Sequence, residues 1–149
     1  MNDAIRTIAV AFIGLAAGLT WYAVRTTSIP TTSPDRLVAE LRLSQFAALL
    51  LAMVAGAYIG FAVAHQEQQG VGFDIALSIG FLVMAATTLV RDPRHALTVL
   101  ALTFAAHALF DVAHRPGALA DVAPRWYLIS CAVYDVYIGA LCYFPILRR

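Results

Sequence analysis

Five apolar runs, each about as long as a bilayer is thick, constrain this chain more than any other feature. They occupy residues 7–24, 43–64, 71–90, 96–113 and 126–147. About 20 residues of helix cross a hydrocarbon core of ~30 Å. In lipid, such a segment must satisfy its own backbone hydrogen bonds, and a helix does so. The expected fold is all-α: a polytopic membrane protein, a compact bundle of five transmembrane helices forming one domain over residues 1–149. The first run is longer than the ~7–15 residues of a signal-peptide core, so it is read as a retained span.

Composition agrees. Of the 149 residues, 61% are hydrophobic and only 13% charged, against about a quarter charged in a soluble domain. The net charge of +1 gives no case for nucleic acid as a partner; the bilayer itself is the expected one. Cys131 and Cys142 fall on one helix, roughly 16 Å apart by helical rise. A disulfide needs Cα atoms within about 7 Å, so these two cannot pair with each other.

Arginine placement sets an orientation. With five spans, the first loop, the third loop and the C-terminus share a side, and that side holds Arg25, Arg36, Arg42, Arg91, Arg94, Arg148 and Arg149. The other side holds Arg6, Arg115 and Arg125. The positive-inside rule makes the arginine-rich side cytoplasmic and places the N-terminus outside. The expected location is a cell membrane, of the bacterial inner-membrane type. Trp21, Tyr22, Trp126, Tyr127 and Tyr143 lie at span ends, where aromatic belts form.

Within the first loop, Ser33-Pro34-Asp35 reads as an N-cap, a proline at N1 and an early acid. A short interfacial helix is expected over 34–42, running on into span two. Its Leu37, Val38 and Leu41 would face lipid or protein, and its Arg36 and Glu40 water. Small residues recur at four-residue spacing: Gly14 and Gly18; Ala52, Gly56, Gly60 and Ala64; Gly72, Ala76 and Gly80. Such rows let membrane helices approach closely. Close packing inside one bundle is the first expectation, and a homo-oligomer through spans one to three the second.

The chemistry concentrates in spans four and five. His107, Asp111 and His114 share one helical face at spacings of four and three. Cys131 and Asp135 stand one turn apart on the next span. Ionisable groups at membrane depth cost at least ~2.5–3.5 kcal/mol each on insertion scales and are usually functional. If the boundary runs through His114 and Trp126, helical rise puts His107 ~10 Å and Asp135 ~13 Å inside it. Two spans joined by a short loop pack as antiparallel neighbours, so their polar stripes meet at matching depth. His65, Glu67, Asp74, Ser78 and Tyr127 cluster towards the same end.

Imidazole, carboxylate and thiolate are ligands for zinc and related divalent metals. The expected metal ligands are His107, Asp111 and His114, with Asp135 as a fourth ligand or general base. Cys131, Asp74, His65 and Tyr127 are expected as supporting polar groups. Cys131 alone reads as a packing thiol, because no basic residue other than histidine is near it. Two metal-free readings of the same residues stay open: a self-satisfied polar network, and a proton relay or ligand pocket with titrating histidine. The sequence carries no Walker loop, nucleophile-elbow serine or dinucleotide fingerprint. Three functions follow: an outward-facing metal site acting on a membrane-embedded substrate, a small proton- or metal-linked transporter, or a non-catalytic accessory subunit.

Topology is directly testable. A membrane-impermeant thiol reagent applied to intact cells should label Gln68→Cys and leave Thr31→Cys unlabelled. The reverse pattern would invert the orientation and move the polar cluster to the cytoplasmic half.

Overall fold

The computed structural model describes residues 3–64, 70–114 and 123–148. Its elements are five helices: α1 (Asp3–Ser28), α2 (Pro34–Ala64), α3 (Val71–Thr88), α4 (Pro93–Ala113) and α5 (Arg125–Leu147). All five are long and apolar enough to cross a membrane. His65, Glu67 and Gln68 lie outside the described residues, as do most of the loop joining α4 to α5 and the terminal Arg149.

Local chemistry sets the helix starts. At α4, Asp92 is the N-cap and Pro93 follows at N1; the Asp92 carboxylate accepts from the backbone N–H groups of Arg94 at 3.0 Å and His95 at 3.3 Å. Those donors have no partner inside the helix, so the cap stabilises by roughly 1 kcal/mol. At α2, the Ser33 hydroxyl accepts from the N–H of Asp35 at 3.3 Å. Gly70, ahead of α3, has φ 93°, a left-handed conformation that a side chain would strain.

Helix α2 is the hub and touches all four others. It is one unbroken helix of 31 residues, about 46 Å long. The segment expected along the interface forms its first turns. There the structure corrects one expectation: Arg36 and Glu40 do not face water but are each only 2% exposed. Arg36 Nε donates to Glu40 Oε1 at 2.8 Å, and its Nη groups donate to the carbonyls of Thr26, Ile29 (3.1 Å) and Pro145 (2.9 Å). Those carbonyls belong to the C-terminal ends of α1 and α5, where helices run out of internal donors. One guanidinium therefore caps two helices. Glu40 Oε2 accepts from Arg94 Nε at 3.0 Å and brings in the start of α4.

The most extensive helix pair is α4 with α5. Gly139 allows it: a Cβ there would stand 3.2 Å from the Ala101 carbonyl oxygen and 3.4 Å from the Phe104 Cβ. The small-residue rows behave differently. A Cβ added at Gly14, Gly56, Gly60, Gly72 or Gly80 would meet nothing within 4 Å. Gly18 does pack, against Phe46 at 3.6 Å. The expectation that these rows close up the bundle is therefore corrected. The glycines of α2 and α3 open outward, because small residues at a four-residue period mark a face without saying which way it turns. Between the Arg36 end and the middle of the bundle, Leu19, Leu43, Leu51, Leu97, Leu100, Phe104 and Ile138 form a fully buried core.

Removing a buried charge strands its partners, a loss of about 3–5 kcal/mol, whereas an exposed pair contributes about 1 kcal/mol or less. Arg94 is half exposed. Arg36→Gln should therefore lower the thermal midpoint in detergent much more than Arg94→Gln. Equal, small shifts would show that Arg36 does not hold the three helix ends together.

Candidate metal centre

Two i, i+4 pairs face each other across the α4–α5 contact. His107 and Asp111 come from α4, Cys131 and Asp135 from α5, and all four are buried. Each offers one ligand atom, and these atoms lie within 4.8 Å of one another. His107 Nδ1 stands 2.7 Å from Asp135 Oδ2 and 3.7 Å from Asp111 Oδ2, and Cys131 Sγ stands 3.8 Å from Asp135 Oδ2. Zinc-type bonds of about 2.0–2.3 Å place tetrahedral neighbours about 3.3–3.8 Å apart. The spacings thus bracket those of a four-ligand ion. The tight one, His107 to Asp135, is a hydrogen-bond length, shorter than the separation of two ligands on one ion.

Helix α2 supplies a residue that the sequence reading missed. The Tyr58 hydroxyl donates a short hydrogen bond to Asp111 Oδ1, leaving Oδ2 towards His107. Tyr58 is fully buried and its ring meets His107 edge-on at 5.4 Å. The available signal was simple: between Gln45 and His65, Tyr58 is the only side chain with a polar atom. Phe81 of α3 closes another flank of His107, with ring centroids 4.6 Å apart. Phe110 and Tyr127 complete an aromatic shell around Tyr58.

The shell leaves polar atoms without partners. Among the described residues, His107 Nε2, Asp111 Oδ2, Asp135 Oδ1 and the Tyr127 hydroxyl are buried and make no hydrogen bond. Such atoms each cost about 1–3 kcal/mol, more when charged. Several together at one spot call for a partner that the side chains do not supply, an ordered water or an ion.

The structure gathers the other sequence-selected residues differently. His114 does not join the cluster. It is the C-cap of α4, seven residues and about 10 Å of helical rise beyond His107, and its ring turns to Asp74 rather than to the cluster. Its Nδ1 lies 2.9 Å from the Phe110 carbonyl and its Nε2 3.2 Å from Asp74 Oδ1 on α3. Asp74 and Ser78 are buried with that second pair, one turn apart. His65 lies outside the described residues. Thr103 bonds to its own helix at the Val99 carbonyl. Tyr137 pairs with Thr20 of α1 at 2.6 Å rather than with Asp135. Both cysteines are free and buried.

No family model, no curated protein and no solved structure matches this chain.

The His107–Asp135 contact gives a clean test. His107→Ala and Asp135→Ala should each lower the thermal midpoint in detergent, by about 1–3 kcal/mol for an unsatisfied polar group and more for a stranded charge. The double variant should lose less than the sum, because neither orphan remains. Strict additivity would mean that the two side chains do not share a network.

Proposed function

We propose that this is a membrane-embedded metalloprotein that binds one divalent ion of the zinc class and uses it on a substrate delivered within the bilayer. The observation that carries the reading is the convergence of four ligand-type side chains in a buried, aromatic-walled site with partnerless polar atoms. A ring nitrogen of His107, Asp111 Oδ2 and Cys131 Sγ are assigned as ligands. Asp135 is the fourth ligand, or the general base when a water takes that position. His114, selected from spacing, is assigned with Asp74 to a supporting pair. A metal in such a site brings a bound water towards neutral pKa and polarises an electrophile. Tyr58 fixes the Asp111 carboxylate, which is how outer partners orient metal ligands.

The dry core argues against a carrier. Transport needs a polar route through the bundle, and Leu97, Leu100, Phe104 and Ile138 fill the interior on the arginine-rich side of the cluster. A one-sided site suits a catalyst. With the arginine-rich end in the cytoplasm, the cluster sits in the outward half.

Elemental analysis of protein purified without chelator should find about one ion per chain, since structural and catalytic sites of this donor type hold their metal through purification. Added zinc should raise the thermal midpoint of metal-depleted wild type, by about 2.7 kcal/mol of stability at a hundred times Kd, and leave Asp111→Asn and Cys131→Ser unmoved. Absence of any stoichiometric metal would sink the proposal.

A further inference from the structure

The cluster is shut off from water, yet one face of it comes close to the lipid. Between α1 and α5, at the end opposite the arginine-rich one, lies a groove of about 410 Å³. That is within the roughly 300–1,000 Å³ range of small-molecule pockets. Its walls are apolar: Phe12 and Ile13 from α1, and the rings of Trp126 and Tyr134 from α5. Ile13 and Trp126 are exposed on the outer surface of the bundle, so the groove opens where acyl chains would be. Ser130 adds one hydroxyl to the rim.

Its floor connects with the cluster. Cys131 and Tyr127 line the groove, and Cys131 is also one of the four converging ligand groups. Tyr127 is 6% exposed, and its hydroxyl is buried beside the Cys131 thiol. The Tyr134 hydroxyl is buried too and makes no hydrogen bond among the described residues. An apolar groove with the Ser130 hydroxyl at its rim, backed by two buried phenols and a ligand thiol, suits an amphiphile: hydrocarbon along the walls, polar atoms close behind them.

We infer that the α1–α5 groove takes one hydrocarbon chain of a membrane lipid and sets the lipid's polar junction against Tyr127, Tyr134 and Cys131, beside the cluster. This rests on the metal-site reading and adds the substrate class to it: a lipid that arrives sideways from the bilayer. An extended peptide segment is a poorer fit, because the groove offers almost no hydrogen-bonding groups to a backbone that must be satisfied in lipid.

The probe is phosphatidylglycerol with a diazirine in one acyl chain, present as a trace in vesicles of phosphatidylethanolamine and phosphatidylglycerol holding the full chain. After irradiation, label is mapped by mass spectrometry and metal content is measured on the same preparation. Label should concentrate several-fold on the groove stretches of α1 and α5, relative to the exposed Leu102 and Leu109 of α4. The double variant Ala9→Phe/Ser130→Phe adds bulk inside the groove from two exposed positions. It should lose that enrichment while its midpoint and metal content stay at wild-type values. Even labelling around all lipid-facing helices, or undiminished enrichment in the filled variant, overturns the groove as a lipid site. If the variant unfolds, Ala9→Phe alone is scored by the same criterion. Enrichment in a protein without metal would leave the groove standing and remove the metal reading, so the two can fail separately.

Discussion

Arg36 is the contact on which the packing of this bundle depends. A helix in lipid satisfies its own backbone except at its ends, and the last carbonyls of α1 and α5 fall at a buried junction where water does not serve them. The guanidinium offers five donors in a rigid fork. It spends them on the carbonyls of Thr26, Ile29 and Pro145 and on the Glu40 carboxylate. Positive charge at two helix C-termini is also favourable on dipole grounds. Glu40 balances it and passes the connection to Arg94 on α4. The ends of α1, α4 and α5 are thereby tied to the hub helix at one level.

From that fixed end, the α4–α5 contact runs past Gly139 to the cluster. The bare Cα of Gly139 lets the backbones close up beside Ala101 and Phe104. One turn before Gly139 stands Asp135, and one turn after Phe104 comes the approach to His107, so the close contact brings the two side chains within hydrogen-bonding reach. The cluster then owes its geometry to a small residue that carries no chemistry. Its dryness comes from elsewhere, from Tyr58 of α2 and Phe81 of α3, so four of the five helices build it.

The helices were legible because hydropathy over 20 residues is a strong signal, and caps such as Asp92-Pro93 add sharp starts. Half of the site was legible too. His107 with Asp111, and Cys131 with Asp135, are one-turn pairs in regular helix, where spacing alone fixes the face. His114 shares that face but stands about 10 Å along the helix from His107, and its bond to Asp74 crosses to α3, which spacing on one helix does not show. Arg36 and Glu40 misled for a different reason: an i, i+4 ion pair near a span end has the same sequence form whether water or helix termini surround it. Tyr58 stood out as the lone polar side chain in the middle of its span, but its partner, like that of Gly139, depends on which helices touch. The glycine rows showed the converse difficulty, since lipid is as apolar as a helix flank and sequence polarity does not tell inside from outside there.

The attachment of α1 has a graded character. At the arginine end its terminal carbonyls are held by Arg36, and partway along, Thr20 bonds to Tyr137 of α5. Beyond that, towards its N-terminus, the contact with α5 is apolar, as where Phe12 meets Tyr134 edge-on at 5.0 Å. Lipid tails replace such contacts at little net loss, because the bilayer gives helices no hydrophobic reason to stay together. The two helices therefore resemble a zip sewn shut at one end: parting them becomes easier with distance from Arg36, and the easiest stretch to part is the one that borders the cluster.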